Sequence, residues 1–359
     1  TGIQKPYPLT GAILSLDILP VKSHQKKGVP VPAHQHYNVT YGIIADQKET
    51  LRIQPDENTA VQWIPVEQLP EICKEPHMLP VYEKVIHRMR CWKAMQEQAL
   101  LQTAQPLLAW YPLHARDLPW RHTQEPYRIW LSEIMLQQTR VEAVKNYYAR
   151  FLETFPDIAA LAAAEQDQVN KCWEGLGYYS RAANLRKAAQ TIQEQYGGVF
   201  PRTWEEVRGL AGVGDYTAGA VCSICYGLPT PAVDGNVLRV AARVMNHFCE
   251  IDRPEQKAAV TALLRQVYLD NPEHCGTLTQ AFMEIGATVC VPNGQPHCET
   301  CPLSELCLGR QYCDALRLPQ RTAKKARRQE QYTVFVLQCD GKFALRKRTA
   351  KGLLHGLWE

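Results

Sequence analysis

Two acidic residues, Glu133 and Asp234, occupy positions in the sequence at which a carboxylate could take part in catalysis. Glu133 lies between apolar neighbours in the segment 130–138, whose periodicity predicts a helix. A carboxyl group beside an apolar pocket can stay protonated and act as a general acid near neutral pH. Asp234 occupies the N-cap position before the apolar-periodic segment 237–248, where the helix dipole favours a negative charge. One protonated and one ionised carboxylate are what cleavage of a glycosidic bond through an oxocarbenium-like state requires.

Each of these carboxylates also has a plain structural explanation. Glu133 could face solvent on its helix, which is the usual place for an isolated glutamate. Asp234 could serve only as the cap of the helix that follows it. For Asp234 the capping role and a catalytic role are compatible with each other.

A glycine-rich string, Leu210-Ala-Gly-Val-Gly-Asp-Tyr-Thr-Ala218, lies between two helical segments. Gly212 and Gly214 flank one small apolar residue, which predicts a tight hairpin with positive φ angles. The helix that follows then presents unpaired N–H groups, an anion site suited to a DNA phosphate. A bare Gly-x-Gly would predict only an ordinary helix–helix turn, but the full string is much more specific.

Four cysteines fall within eighteen residues and could bind a metal centre. Their thiolates suit either zinc or a [4Fe–4S] cluster, and spacing alone leaves zinc the commoner explanation. Two C-x2-C pairs would favour zinc, whereas this set has one such pair with unequal gaps on either side. Cys222 and Cys225 have redox-like spacing but lie in an apolar helical segment, so we interpret them as core residues. The four candidate ligands are Cys290, Cys298, Cys301 and Cys307.

The elements that must position these residues form distinct compositional blocks. Residues 1–90 mix β-rich segments with turns and a closing helix, which predicts an α+β piece. Residues 91–316 show amphipathic helical patterns and no convincing alternation, which predicts an all-α block. Residues 317–330 form a basic linker, and residues 331–359 begin a β domain with an Asp340-Gly341 hairpin turn. The predicted strands of the first block are Ala12–Ile18, Asn38–Ile44 and Val61–Ile64.

Length and composition bound the remaining possibilities. A chain of 359 residues suggests two or three domains, and its net charge of +4 is too mild to decide a partner. No apolar run is long enough for a membrane span, and we find no secretory signal. The thirteen cysteines indicate a reducing compartment, so we expect a cytoplasmic, nucleoid-associated protein if the source is bacterial. The abrupt ends of the sequence suggest truncation at both termini.

Taken in order, these motifs closely resemble the A/G-mismatch adenine glycosylases (the MutY family of the helix-hairpin-helix superfamily). The match runs from about Leu107 to Cys307 and is highly specific. The resemblance implies a mainly α fold, with a six-helix barrel at 119–227 and an iron–sulfur cluster domain at 91–118 and 228–316. Its motifs are Leu118-Pro-Trp-Arg121, Ser132–Thr139, Trp173–Arg181, Leu210–Ala218, Val233–Val237 and the four cysteines.

The resemblance also implies a role for each matched residue. Glu133 matches the general acid that protonates adenine, Asp234 matches the carboxylate that stabilises the oxocarbenium ion, and Tyr216 and Asn236 support them. The other matched sets are the adenine pocket (Arg121, Leu136, Gln280), the base-stack wedge (Gln138, Tyr178), the phosphate-binding hairpin (Gly212, Gly214) and the [4Fe–4S] ligands (Cys290, Cys298, Cys301, Cys307). Asp215 departs from the frequent proline and is expected to weaken DNA binding modestly.

The expected activity is hydrolytic excision of adenine from A:8-oxoguanine or A:G mispairs in double-stranded DNA, by a monomer with no membrane partner. Endonuclease III-type glycosylase/lyases carry a catalytic lysine where this chain has Tyr216, so strand cleavage through a Schiff base is disfavoured. A nucleotide pyrophosphohydrolase and a non-catalytic zinc-bearing DNA-binding protein are the remaining alternatives.

Both ends of the chain resemble parts of Nudix domains. Val31–Tyr41 and Ala60–Leu69 look like later strands of a Nudix hydrolase, but no Nudix box occurs within the sequence. Residues 352–359 resemble the opening of the C-terminal Nudix-like domain that recognises 8-oxoguanine in the adenine glycosylases. His34 and His36 lie on one side of a predicted strand, and we interpret them as a structural pair.

Overall fold

The computed structural model describes residues 7–26, 28–45, 47–53, 60–322, 329, 331, 336–346 and 348–349. The helices are α1 (Leu69–Ile72), α2 (Leu79–Leu101), α3 (Ala104–His114), α4 (Pro126–Leu136), α5 (Val141–Thr154), α6 (Ile158–Ala163), α7 (Gln166–Trp173), α8 (Ser180–Tyr196), α9 (Trp204–Gly209), α10 (Asp215–Tyr226), α11 (Gly235–Val244), α12 (Pro254–Leu269), α13 (Cys275–Thr288) and α14 (Leu308–Gln311). The strands are β1 (Tyr7–Pro8), β2 (Ser15–Val21), β3 (His24–Lys26), β4 (Val29–Val31), β5 (His34–Thr40), β6 (Ile43–Ile44), β7 (Gln338–Cys339) and β8 (Lys342–Phe343). The predicted mainly α fold is confirmed.

The chain divides into two compact units. The first contains Thr1–Ile129, Arg202–Gly209 and Val213–Thr322, and the second contains Trp130–Pro201, Leu210–Gly212 and Ala323–Glu359. In the part of the chain that the structure describes, no helix combines the length and the apolar character that crossing a membrane demands. The domain boundaries drawn from the sequence stay predictions.

Helix α13 lies at the centre of the first unit, where it packs against α3, α10 and α11. Leu278, Phe282 and Ile285 recur at helical spacing, and each is at most 1% exposed. They form the apolar stripe that a core helix needs. The same helix carries two polar residues of functional interest, Gln280 and Glu284, so the core directly positions them.

Helix α8 organises the second unit by packing against α6 and α7. Leu185 and Ile192 lie two turns apart on its inner face and are almost completely buried. Trp173, at the end of α7, is fully buried and meets Phe151 edge to face, with ring centroids 6.0 Å apart. This aromatic contact fixes α5 against α7.

The N-terminal strands pack on the long helix α2. Strands β2 and β5 pair antiparallel from Ser15 opposite Thr40 to Val21 opposite His34. Leu9 and Leu14 form a small core with Trp92 of α2, and the Trp92 indole N–H donates to the Leu9 carbonyl at 3.0 Å. The predicted α+β character of this block is therefore observed, and its resemblance to a Nudix domain stays a prediction.

Two strand predictions have different outcomes. The predicted strand Val61–Ile64 is wrong: these residues are coil, because no neighbouring strand pairs with them in the described part of the chain. The Asp-Gly hairpin is confirmed, since β7 pairs with β8 across Asp340 and Gly341. Their φ angles of 47° and 73° are the pair of positive values that a type I′ turn requires. Residues 323–328 and 330 of the basic linker and residues 352–359 lie outside the described residues.

Gly219 offers a test of how tightly α10 packs against the segment that leads to Asp234. A Cβ atom at Gly219 would lie 2.7 Å from the backbone carbonyl oxygen of Pro231, which cannot move independently of that segment. We expect Gly219→Ala to lower the free energy of unfolding by about 1–3 kcal/mol, as overpacking does. Urea denaturation measures this change. Gly209→Ala is the matched control because no atom lies within 4 Å of its added Cβ, and equal stability of both variants would contradict the expectation.

Candidate active site

Asp234 is held in place by three N–H donors. One carboxylate oxygen accepts the backbone N–H groups of Asn236 at 2.9 Å and Val237 at 2.8 Å, and the other accepts the Asn236 side-chain amide at 2.7 Å. Asp234 therefore caps α11, as the sequence predicts. The side chain is only half-buried, so a capping carboxylate with a fixed orientation remains accessible for chemistry.

Arg239 donates a hydrogen bond to the side chain of Asn236, a contact that was not predicted from the sequence. Its side chain is 2% exposed and donates to the Asn236 side-chain oxygen at 3.0 Å. It also donates to the carbonyl oxygens of Gly286 at 2.7 Å and Cys290 at 2.9 Å. Asn236 and the Arg239 guanidinium group thus connect Asp234 to the end of α13 and to the backbone of Cys290, the first of the four cysteines.

Arg121 and Gln280, two of the predicted pocket residues, are joined through Tyr111. The Tyr111 hydroxyl donates to the Gln280 side-chain oxygen at 2.7 Å. The Arg121 guanidinium lies over the Tyr111 ring, 5.5 Å from its centroid, in cation–π contact. Burial raises the pKa of Tyr111, so the hydroxyl keeps the proton that it donates.

Glu284 is the functional candidate that sequence reasoning missed. Its side chain is fully buried and accepts hydrogen bonds from both Arg116 and Arg121, with the Arg116 Nε donor at 2.7 Å. Burial alone would raise the pKa of Glu284, but the bonds from the two arginines hold it below the ordinary value of 4.5. This buried carboxylate, which binds two cations, orients Arg121. The one feature of the sequence that could have identified Glu284 is an acidic residue in an otherwise apolar helical segment.

Tyr216 lies in the first turn of α10 and is half-buried. Its hydroxyl contacts the sulfur of Met283 on α13 at 3.8 Å. Met283 follows Gln280 by three residues on that helix, so Tyr216 contacts the same surface of α13 that carries Gln280.

Glu133 lies on α4 within the second unit and is 5% exposed. The alternative of a solvent-facing glutamate is therefore wrong. Its chain neighbours Leu131, Ile134 and Met135 are also at most 3% exposed, so Glu133 belongs to a buried stretch of α4. Leu136, at the end of α4, is half-buried. Since Glu133 and Asp234 belong to different units, their pairing stays a prediction of the sequence.

Arg181 binds the two segments that carry the predicted wedge residues. It is 8% exposed and stacks near Trp173, 5.3 Å from the ring centroid. Its two terminal nitrogens donate to five backbone carbonyl oxygens at 2.6–3.2 Å, those of Ile134, Met135, Gln137, Leu176 and Gly177. One buried cation therefore satisfies the carbonyl groups at the end of α4 and in the turn before α8.

Gln138 and Tyr178 directly follow two of these carbonyl groups, and both have left-handed backbones with φ of 58° and 47°. Such a conformation costs about 1–2 kcal/mol for a residue with a side chain. Both side chains are exposed. The arrangement points two side chains outward from strained turns that Arg181 stabilises, which suits residues that must enter a base stack.

The glycine-rich string forms the turn between α9 and α10. Gly212 has φ of +74°, and a Cβ there would lie 2.7 Å from the Cβ of Asn184, so glycine is needed. Gly214 corrects the prediction: its φ is −97°, an angle open to any residue. It is instead the N-cap of α10, where the lack of a side chain leaves the first N–H groups of the helix accessible.

Asp215 does not bring an uncompensated charge to this turn. Arg208, on α9, donates from Nε to the Asp215 carboxylate and from Nη1 to the Val213 carbonyl at 3.1 Å. The hydrogen bond from Arg208 holds the pKa of Asp215 below its usual value. Arg208 thus places a cation in direct contact with Asp215, and the expected weakening of DNA binding stays a prediction.

The four candidate cysteine ligands line one cavity beside Arg243. Burial raises the pKa of Cys301 to about 12 and that of Cys307 to about 11, so only a bound cation would make these thiols thiolates near neutral pH. Arg243 donates to the Cys290 sulfur at 3.3 Å. Among the described residues, no three side chains of His, Cys, Asp or Glu converge closely enough to hold a single ion. Cys222 is fully buried in α10, in agreement with its interpretation as a core residue.

Known proteins resemble this chain in both sequence and fold. The family described as "HhH-GPD superfamily base excision DNA repair protein" matches residues 131–266. The human adenine DNA glycosylase is 36% identical over 307 residues, which cover 70% of this chain and 56% of that protein. The adenine DNA glycosylase of Schizosaccharomyces pombe is 34% identical over 313 residues, covering 70% of this chain and 67% of that protein. The chain spans about half the length of the first of these curated relatives.

Among solved structures, that of a thermostable thymine-DNA glycosylase superposes with a TM-score of 0.54 and 26% identity. The superposition covers 62% of this chain and 99% of that protein. A non-covalent endonuclease III–DNA complex gives a TM-score of 0.52 at 23% identity, which shows the shared fold alone.

Arg181 provides the test of how the wedge segments are held. Lysine carries its three donors on one nitrogen and cannot reach five separate carbonyl oxygens. We expect Arg181→Lys to lower the free energy of unfolding by more than about 2 kcal/mol, because buried acceptors lose their partners. Thermal or urea denaturation measures this change, and limited proteolysis would locate the loosened turns. Arg150→Lys is the control, since Arg150 makes an exposed bond to one carbonyl group; a loss of stability no larger than the control's would contradict the assignment.

Proposed function

This chain belongs to the adenine DNA glycosylase family, within the HhH-GPD superfamily of base excision DNA repair proteins, and from that premise we propose that it removes adenine mispaired with 8-oxoguanine or guanine in double-stranded DNA. The observation that carries the proposal is Asp234, an acceptor-only carboxylate fixed by three N–H donors at the start of α11. Such a group stabilises positive charge on a sugar without needing to move.

The proposed reaction uses Glu133 as the acid. Its carboxyl group donates a proton to a ring nitrogen of the flipped adenine. The glycosidic C–N bond then breaks, its electron pair leaves with the base, and the sugar becomes an oxocarbenium-like cation. Asp234 stabilises that cation until water adds to the sugar carbon and loses a proton, which leaves an abasic site. The burial of Glu133, which is 5% exposed, supports this role, since removal from water favours the neutral, proton-carrying form of a carboxyl group.

Tyr216 supports hydrolysis without strand cleavage. A lyase step would need an amine that forms a Schiff base with the sugar, and the Tyr216 side chain has a phenol at this position. We therefore propose a monofunctional glycosylase. Arg121 and Gln280, joined through Tyr111, are the proposed contacts for the extruded base.

Binding to double-stranded DNA is assigned to two features of the chain. The open N-terminus of α10 after Gly214 offers N–H groups to a phosphate oxygen, and Arg208 neutralises the nearby Asp215 carboxylate. Gln138 and Tyr178, which project from the turns that Arg181 binds, are proposed to fill the gap left by the flipped base.

The four cysteines are proposed to hold a [4Fe–4S] cluster. All four line one cavity, and their spacing, with one C-x2-C pair and unequal gaps on either side, favours the cluster over a zinc site with four thiolates. When bound, the cluster would cross-link the segment 290–307 and contribute folding energy.

Substitution of the two carboxylates tests the reaction. We expect Glu133→Gln and Asp234→Asn each to slow adenine release from an A:8-oxoguanine duplex by about 10²–10⁴-fold, because shape is kept while acidity or charge is lost. Single-turnover assays measure the rate, and DNA-binding isotherms check that the variants still bind. Glu273→Gln, at an exposed carboxylate, is the control. Near-full activity of either Glu133→Gln or Asp234→Asn would refute the assigned role.

Metal analysis tests the cofactor. Purified protein is expected to be brown, with stoichiometric iron and acid-labile sulfide, and Cys301→Ser should lose both. Cys313→Ser is the matched control, because Cys313 is exposed and outside the cavity. A colourless wild-type protein containing stoichiometric zinc would show that the cluster assignment is wrong.

A further inference from the structure

Histidines of the N-terminal strands meet at one end of the β2–β5 pair. His34, the first residue of β5, lies opposite Val21, the last residue of β2. The Nε2 atoms of His34 and His36 are 2.9 Å apart, because residues two apart on a strand share one face. The ring of His24 lies next to them, its centroid 5.8 Å from that of His34. His24 and His36 are exposed, and His34 is half-buried.

The hydrogen bonds of these rings determine which nitrogen carries the proton. His34 Nδ1 lies 2.9 Å from the Pro32 carbonyl oxygen, and His24 Nδ1 lies 3.0 Å from the Lys22 carbonyl oxygen. A carbonyl oxygen can only accept, so both Nδ1 atoms carry hydrogen, and in a neutral ring Nε2 then has a free lone pair. Metal-binding histidines are typically oriented in this way by a backbone carbonyl group on their second nitrogen.

We propose that His34 and His36 form a chelating site for a divalent transition metal ion such as zinc, nickel or copper. Imidazole nitrogen is a preferred ligand of these ions. In the metal-free protein the His36 Nε2–H group donates to His34 Nε2; on binding, His36 loses that proton to solvent or changes tautomer, and both lone pairs face the ion. The site is separate from the four cysteines and does not depend on the proposed DNA reaction.

The geometry requires little adjustment. With metal–nitrogen bonds of about 2.0–2.1 Å and a tetrahedral angle, two ligating nitrogens lie about 3.3 Å apart, so the observed pair needs only to open slightly. The same geometry places ring centroids about 5 Å apart, and those of His34 and His36 are 4.8 Å apart. No third ligand side chain in the described residues already converges with them. Water completes the coordination, and His24 is near enough to join by a side-chain rotation.

Calorimetric titration tests the proposal on the full chain with its native metal content and without a polyhistidine tag. Zinc chloride is added in chelator-free buffer while the visible absorbance is followed, which reports any change at the cysteines. We expect one equivalent of zinc to bind the wild-type protein without changing that absorbance. His34→Gln and His36→Gln should each lose that equivalent. His77→Gln, at an exposed histidine outside the pair, is the matched control and should keep it.

A second measurement identifies the ligands directly. A small amount of copper(II) should broaden the imidazole proton resonances of His34 and His36 before those of His77. Absence of zinc binding by the wild-type protein, or equal binding by wild type and both glutamine variants, would overturn the proposal and leave a plain hydrogen bond between the two rings. Because both side chains are at the surface, the substitutions are not expected to prevent folding.

Discussion

Buried guanidinium groups that donate to backbone carbonyl oxygens hold the functional segments of this protein in place. Arg181 does so in the second unit, and Arg239 and Arg243 do so in the first; all three are at most 8% exposed. Helix ends and turns leave carbonyl groups without partners, and one guanidinium group has five donors in a rigid plane. Each arginine can therefore bind carbonyl groups of several segments at once, whereas a capping side chain binds the end of one helix.

Glu284 represents the opposite arrangement, a buried anion between two arginines. Taking a carboxylate out of water is costly unless its lone pairs are satisfied, and Arg116 and Arg121 satisfy those of Glu284. In return, Arg121 has a fixed direction and lies against Tyr111. The buried ion cluster therefore fixes the orientation of the Arg121 donors before any ligand binds.

Sequence reasoning succeeded where the deciding interaction is local. Asp234 was identified as a helix cap because a capping residue bonds to N–H groups two and three positions along the chain, and the Asp340-Gly341 turn follows the same logic. Glu284 and Tyr111 were missed because their partners are 163 to 169 residues away. The positive φ predicted for Gly214 was wrong, because a glycine in a sequence shows only that a positive φ is allowed and not that the backbone adopts it. The strand Val61–Ile64 failed because β propensity cannot supply a neighbouring strand.

The position of helix α2 limits where the chain can be shortened without exposing its core. Its 23 residues run across position 90, where the composition changes. Trp92, just after that position, packs on Leu9 and meets Tyr312 edge to face with ring centroids 5.0 Å apart, and further along the same helix Gln96 binds the Asn246 carbonyl. A shortened protein that starts near residue 91 would begin in the middle of α2 and would expose the Trp92 side chain to solvent. An exposed apolar surface of this kind promotes aggregation. Expression clones designed to isolate the helical part should therefore replace Trp92 with a polar residue or keep the N-terminal strands.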